Sequence, residues 1–313
     1  MDLRDAAVGG LKGTGARDAS AAARKWLGPG EFMLILVAAI WGGSYTATKI
    51  ATQQLPVLEL MVLRFGLTFL LLLPALRPLL HVNGRAALQV GCGLGVNLFA
   101  ILLCETYGVS LTTASNAAFL ISLCVAITPF CEWWLLGKKP SAQIMSAAAL
   151  SVVGAFMLAY KSVGGLGLAW GDALMLLAAF LRGIMVCLTR RFGLRHPLPA
   201  LTLTAIQMGV MTLGSLVLLL LVQGWQFHAL PTQASFWSAM AFLVLLCTLF
   251  AFFAQNFAAA RSSPSRVALL MGSEPLFGAL IAALVMGDAL GLLGWAGGAL
   301  IVLSAAWVSL APR

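Results

Sequence analysis

The sequence predicts an all-α, polytopic membrane protein: ten transmembrane helices arranged as two inverted five-helix repeats. Three observations lead there. The chain is 61% hydrophobic and only 9% charged, with a mean hydropathy of +0.98. A soluble domain of this size could not hide so much apolar surface, so the solvent for most of the chain is lipid. Apolar stretches of about 20 residues, the length that crosses a hydrocarbon core, follow one another with short breaks. Finally, the hairpin from Ser115 to Leu158 reads like the one from Ser265 to Val308 at an offset of 150 residues. Ala118 matches Ala268, Leu120 matches Leu270 and Gly137 matches Gly287.

Residues 1–30 are rich in Gly, Ala and Arg and lack a continuous apolar core, so they read as a disordered cytosolic tail rather than a signal peptide. The first repeat covers 31–160, with spans at 31–51, 57–77, 87–108, 114–136 and 141–160. Pro56, Pro78 and Pro140 punctuate it, because proline cannot donate to a helix and clashes with the preceding turn. The second repeat covers 170–310, with spans at 170–192, 199–222, 235–259, 264–286 and 289–310; Pro197, Pro199 and Pro231 fall in its connections. Several of the 9 Trp lie at span ends, where amphipathic rings favour the membrane interface.

The net charge of +9 suggests orientation, not nucleic acid. With the N-terminus in the cytosol, fifteen Lys and Arg fall on cytosolic segments, including Arg24, Lys138, Arg191 and Arg266, and one, Lys161, falls outside. Such asymmetry is the positive-inside pattern, and a missed helix would scramble it. Both termini are then cytosolic, and five helices per half make the second half enter from the opposite face. The expected location is the cytoplasmic (inner) membrane of a bacterium. The six Cys all fall in apolar spans without metal spacing and read as packing residues. His81, His196 and His228 fall in loops, and no zinc-protease, nucleophile-elbow or phosphate-loop motif is present. No enzyme, metal or cofactor is expected; the expected partners are membrane lipid and a small-molecule substrate. Gly294 and Gly298 could serve a homodimer, although packing within the chain explains them as well.

Polar side chains inside the spans are the candidate site. Trp41, Ser44, Tyr45 and Thr48 share one face of the first helix. They line either a cavity or a helix–helix contact, since hydroxyls facing lipid would lack partners. Asn97 and Glu105 share a face of the third helix, Gln255 and Asn256 hold the repeat-related place in the eighth, and Asn116 belongs to the repeated hairpin. Glu105 reads as a proton-coupling or cation-binding carboxylate, or as an acid reaching outer water; Glu274, before Pro275, as a proton carrier or a structural kink. Arg182 lies about 15 Å from either interface, too deep for its stem to reach water, so it requires an anion: Glu274 at matching depth or a substrate group. Lys49 and Arg64 read as snorkelling charges with Glu59 as a shared partner, and Glu132 as an interfacial charge near Lys138 and Lys139.

Trp41-Gly42-Gly43-Ser44, Leu63-Arg64-Phe65, the stretch from Thr106 to Pro129, and Ser273-Glu274-Pro275 followed by Gly287-Asp288 together resemble the EamA repeat of the drug/metabolite transporter superfamily, over about 31–310. The chain departs from that pattern at Lys138-Lys139, Glu105 and Asp288. The resemblance implies ten helices and movement of small metabolites. The expected function is a secondary transporter, an exporter of amino acids or similar polar metabolites, coupled to protons. A passive facilitator and an intramembrane enzyme are the alternatives.

Overall fold

The computed structural model describes residues 29–80, 84–112, 114–159, 170–195, 198–286 and 291–309. The N-terminal tail, Lys161, His81, His196, Gly287-Asp288 and the side chain of Asn116 lie outside the described residues. Among the described residues the fold is all-helical and has no strand. Thirteen α-helices are described: α1 (Pro29–Thr52), α2 (Val57–Leu72), α3 (Gly84–Leu111), α4 (Ala114–Ser122), α5 (Cys124–Leu136), α6 (Ala142–Ala159), α7 (Trp170–Arg195), α8 (Ala200–Gln223), α9 (Ala234–Ala241), α10 (Ala251–Ala259), α11 (Pro264–Met271), α12 (Glu274–Met286) and α13 (Leu292–Ser309). A 3-10 turn (Leu73–Leu80) extends α2, and a π-helical stretch (Phe242–Phe250) joins α9 to α10.

Among the described residues, seven stretches are long and apolar enough to cross a membrane: Gly30–Thr52, Val57–Leu79, Arg85–Leu111, Ala117–Leu136, Trp170–Leu194, Ala200–Gln223 and Ala234–Ala259. Ala142–Met157 and Leu292–Val308 are shorter apolar helices. Outward-facing positions are apolar: Leu70, Val96, Leu213, Leu221 and Leu303 are all exposed. That surface is stable against lipid and not against water. Trp134, Trp170 and Trp225 are exposed at helix ends.

The helices pair in a regular way. α2 packs on α8, α6 on α13 and α5 on α11; α3 packs on α7 and α1 on α10; α5 packs on α7 and α1 on α12. Small residues allow the closest crossings, as expected where dispersion rather than hydrophobicity joins helices in lipid. Gly154 meets Gly297 so closely that a Cβ there would lie 2.6 Å from the Gly297 carbonyl oxygen. A Cβ on Gly298 would lie 2.7 Å from Leu276 of the same chain, so this glycine is used in packing within the chain. Two helical paths break at related places. α4 yields to α5 at Leu123, and α11 yields to α12 at Gly272-Ser273, about 150 residues later. At each break a serine hydroxyl donates to the carbonyl three residues back: Ser122 to Phe119 at 2.6 Å and Ser273 to Leu270 at 2.8 Å. Glu274 and Pro275 then open α12, where proline's missing N–H costs nothing.

Candidate functional site

Helix periodicity brings the α1 stripe to one place. Trp41, Ser44, Tyr45 and Thr48 line a polar cavity with Arg64 of α2, Leu102, Glu105, Thr106 and Val109 of α3, Arg182 of α7 and Phe252 of α10. The cavity measures about 20 Å³, room for about one water molecule. In this conformation it is a contracted site.

A buried charge cluster forms its floor. Arg182 Nη1 donates to Glu274 Oε2 at 2.8 Å, and Nη2 lies 3.4 Å from Glu105 Oε2. These side chains are 7%, 3% and 13% exposed respectively. The Tyr45 hydroxyl donates to the other oxygen of Glu274 at 2.6 Å. Trp41 covers the guanidinium, whose carbon lies 4.7 Å from the ring centroid. The indole N–H of Trp41 donates to the Cys247 carbonyl at 2.9 Å. An unpaired guanidinium at this depth would be strongly disfavoured, and the two carboxylates answer it directly. Two of these contacts cross between the halves of the chain, Arg182 with Glu105 and Tyr45 with Glu274, whereas Arg182 and Glu274 pair within the second half. Glu105 and Tyr45 come from the first half of the chain, Arg182 and Glu274 from the second.

Three candidates are committed elsewhere. Asn97 donates to the Leu181 carbonyl at 3.3 Å. Asn256 donates to Thr204 at 3.0 Å and Gln207 at 2.7 Å, and Gln255 lies 3.9 Å from the Met271 sulfur. None of the three lines the cavity; each satisfies a helix–helix contact, as a polar group in lipid must.

Four charges differ from the sequence expectation. Arg64 does not snorkel. It is buried at 8% exposure, lines the cavity and donates from Nε to Thr248 Oγ1 at 2.8 Å. Glu59 pairs with neither Arg64 nor Lys49; it lies 2.7 Å from His228 Nδ1 and accepts the His228 backbone N–H at 3.1 Å. Lys49 caps the end of α3, donating to the carbonyls of Val109, Ser110 and Thr112 at 3.1, 3.1 and 2.9 Å. Glu132 is buried rather than interfacial: it accepts the Ser265 backbone N–H at 3.0 Å and the Ser265 hydroxyl. Beside it Arg266 Nε lies 2.9 Å from Glu31 Oε1. At this end of the bundle, α1 and α5 are thus fastened to the start of α11. Among the described residues no group of His, Cys, Asp and Glu could hold a metal ion.

The sequence matches the model of the EamA-like transporter family twice, over residues 28–160 and 169–310. Two proteins of Archaeoglobus fulgidus described as uncharacterized transporters are similar to it. One is 26% identical over 88% of this chain and 84% of its own; the other is 24% identical over 80% and 87%. A solved crystal structure superposes with a TM-score of 0.73 at 18% identity, covering 89% of this chain and 96% of that one, a likeness of fold. With the family model matched along nearly the whole length, the chain belongs to the EamA-like transporter family, and it is a membrane transporter.

Proposed function

We propose that this protein is a proton-coupled secondary transporter that exports small polar metabolites of the amino-acid class across a bacterial cytoplasmic membrane. Its ten spans form two inverted five-helix repeats with both termini cytosolic. Several features support the repeat. The family model matches two successive segments, and the helix breaks recur about 150 residues apart. The packing pairs also survive exchange of the halves: α3–α7 becomes α1–α10, and α1–α12 becomes α5–α7. Inverted repeats around a central site are the architecture of alternating access.

The observation that carries the coupling reading is the Glu105–Arg182–Glu274 cluster with its Tyr45 hydrogen bond. It joins the two halves where they must separate. Protons and an incoming ammonium compete with Arg182 for the same carboxylate oxygens, so occupancy changes the bonds that hold the halves together. The fastened end, with Glu31–Arg266 and Glu132–Ser265, is the cytosolic side in the proposed topology and is closed here. The test is flux in proteoliposomes against a metabolite panel, with and without an imposed pH gradient. Accumulation that follows the gradient supports coupling, whereas equilibration that ignores it would make the protein a facilitator. For topology, single cysteines in a cysteine-free background should react from the cytosol at position 138, and outside labelling there would overturn it.

A further inference from the structure

Arg64 stands in the cavity without a carboxylate. The other charged groups there answer one another: Arg182 bridges Glu274 and Glu105. Arg64 is only 8% exposed, yet among the described residues no carboxylate comes within 4.0 Å of it. Its ε nitrogen donates to Thr248 Oγ1 at 2.8 Å, while its two terminal nitrogens make no hydrogen bond among the described residues. A guanidinium carries five N–H donors. The terminal nitrogens of Arg64 are not among the enclosed polar atoms left without a partner; with Arg64 lining the cavity, they remain open to an anion that enters it. A carboxylate answers two at once, because its oxygens match the planar fork.

The side chain is also aimed. Thr248 lies in the π-helical stretch, and its hydroxyl donates to the Leu243 carbonyl five residues back at 2.7 Å. That bond spends the hydroxyl proton along its own helix and leaves an oxygen lone pair for Arg64. The guanidinium carbon sits 5.2 Å from the Phe65 ring centroid. Arg64 is therefore held by its inner nitrogen, and the terminal pair remains for the cavity. π-Helical turns concentrate at functional sites because they re-aim a few groups in an otherwise regular helix.

Building on the transport reading, we propose that Arg64 is the substrate-binding cation of the cavity, that it takes the carboxylate of a small zwitterion, and that Thr248 is the positioning residue that aims it. Glu105 lines the same cavity and stands to receive the ammonium end. Room for about one water molecule does not admit such a molecule, so it binds in a wider conformation. Arg182, engaged by two carboxylates, holds the halves together and does not bind the substrate carboxylate.

The test compares common L-amino acids with their decarboxylated amines on the purified full-length protein, reading the thermal midpoint, and then measures flux in proteoliposomes. At least one amino acid should raise the midpoint while its amine does not. Arg64→Gln should weaken its apparent affinity about ten- to hundredfold, with Arg64→Lys restoring part of it. Thr248→Val keeps the shape and removes the hydroxyl; it should raise KM and leave flux at saturation near that of the unaltered protein. If Arg64→Gln does not fold, Thr248→Val and the amino-acid/amine pair on the unaltered protein decide. Equal stabilisation by acid and amine, stabilisation by neither, or an unchanged KM in Thr248→Val overturns the assignment. Gradient-driven flux that persists with unchanged KM in Arg64→Gln would leave the transport reading standing and remove this one.

Discussion

Gly42 fixes the distance between the two halves at the site. It lies beside Trp41 on α1, and α12 crosses it at Gly278. A Cβ added at Gly42 would fall 2.6 Å from the Gly278 nitrogen, 2.8 Å from the Glu274 carbonyl oxygen and 2.9 Å from Phe277 Cβ. All three are backbone or directly attached to it, so no side chain can swing aside. Restoring ordinary contact requires α12 to retreat by about 0.9 Å at its nearest atom, since non-bonded heavy atoms settle about 3.5 Å apart. Glu274 starts α12 and would retreat with it. The Tyr45–Glu274 hydrogen bond, 2.6 Å in this structure, would lengthen to the limit of a useful one. Gly42→Ala should therefore cost about 1–3 kcal/mol, the usual range for overpacking, and reduce transport. Gly93→Ala is the control, because nothing lies within 4 Å of a Cβ there. Thermal unfolding of both variants in one detergent measures the difference. A Gly42→Ala protein as stable as Gly93→Ala, with full flux, would refute the close crossing.

The other charged contacts make separate predictions. Arg182→Leu leaves two buried carboxylates facing each other and should cost about 3–5 kcal/mol; Glu274→Gln, which leaves Arg182 with Glu105, should cost less, about 1–3 kcal/mol. Equal losses in thermal unfolding would mean that Glu105 does not share Arg182. Glu31→Gln and Arg266→Gln should each destabilise, and the double variant should lose less than their sum, with a coupling of about 0.5–3 kcal/mol; strict additivity would dissolve the pair. Lys49→Met removes donors to three carbonyls and should cost about 1 kcal/mol, seen as faster amide exchange near Val109 and Ser110; unchanged exchange there would refute the cap.

The parts of the fold and site that sequence could reach were those governed by local periodicity. The α1 stripe follows from helical spacing alone, and the depth of Arg182 follows from its place in its span. Its need for an anion at matching depth leads to Glu274, which the structure places 2.8 Å away. Glu105 was harder to connect, because six residues from the end of α3 looks like the interface until helix packing brings it beside Arg182. Arg64 and Glu132 fail for the same reason: distance from a span end measures depth only for an upright helix, and here both ends are covered by neighbours. Arg64 stands seven residues inside α2, a depth that already weakens a snorkelling reading. Asn97, Gln255 and Asn256 have the right residue type and are consumed by partners on other helices, which periodicity cannot see. The π-helical stretch has no sequence signal either: FLVLLCTLF is apolar apart from Thr248 and would serve an α-helix as well.

The central claim is that buried carboxylates joining the two halves couple proton movement to transport. Glu105→Gln and Glu274→Gln keep the shape of each side chain and remove its charge. The measurement is substrate accumulation in proteoliposomes under an imposed pH gradient, for the unaltered protein and both variants. The account predicts that at least one variant loses gradient-driven accumulation while still equilibrating substrate down its own gradient. Full gradient-driven accumulation in both variants would contradict it.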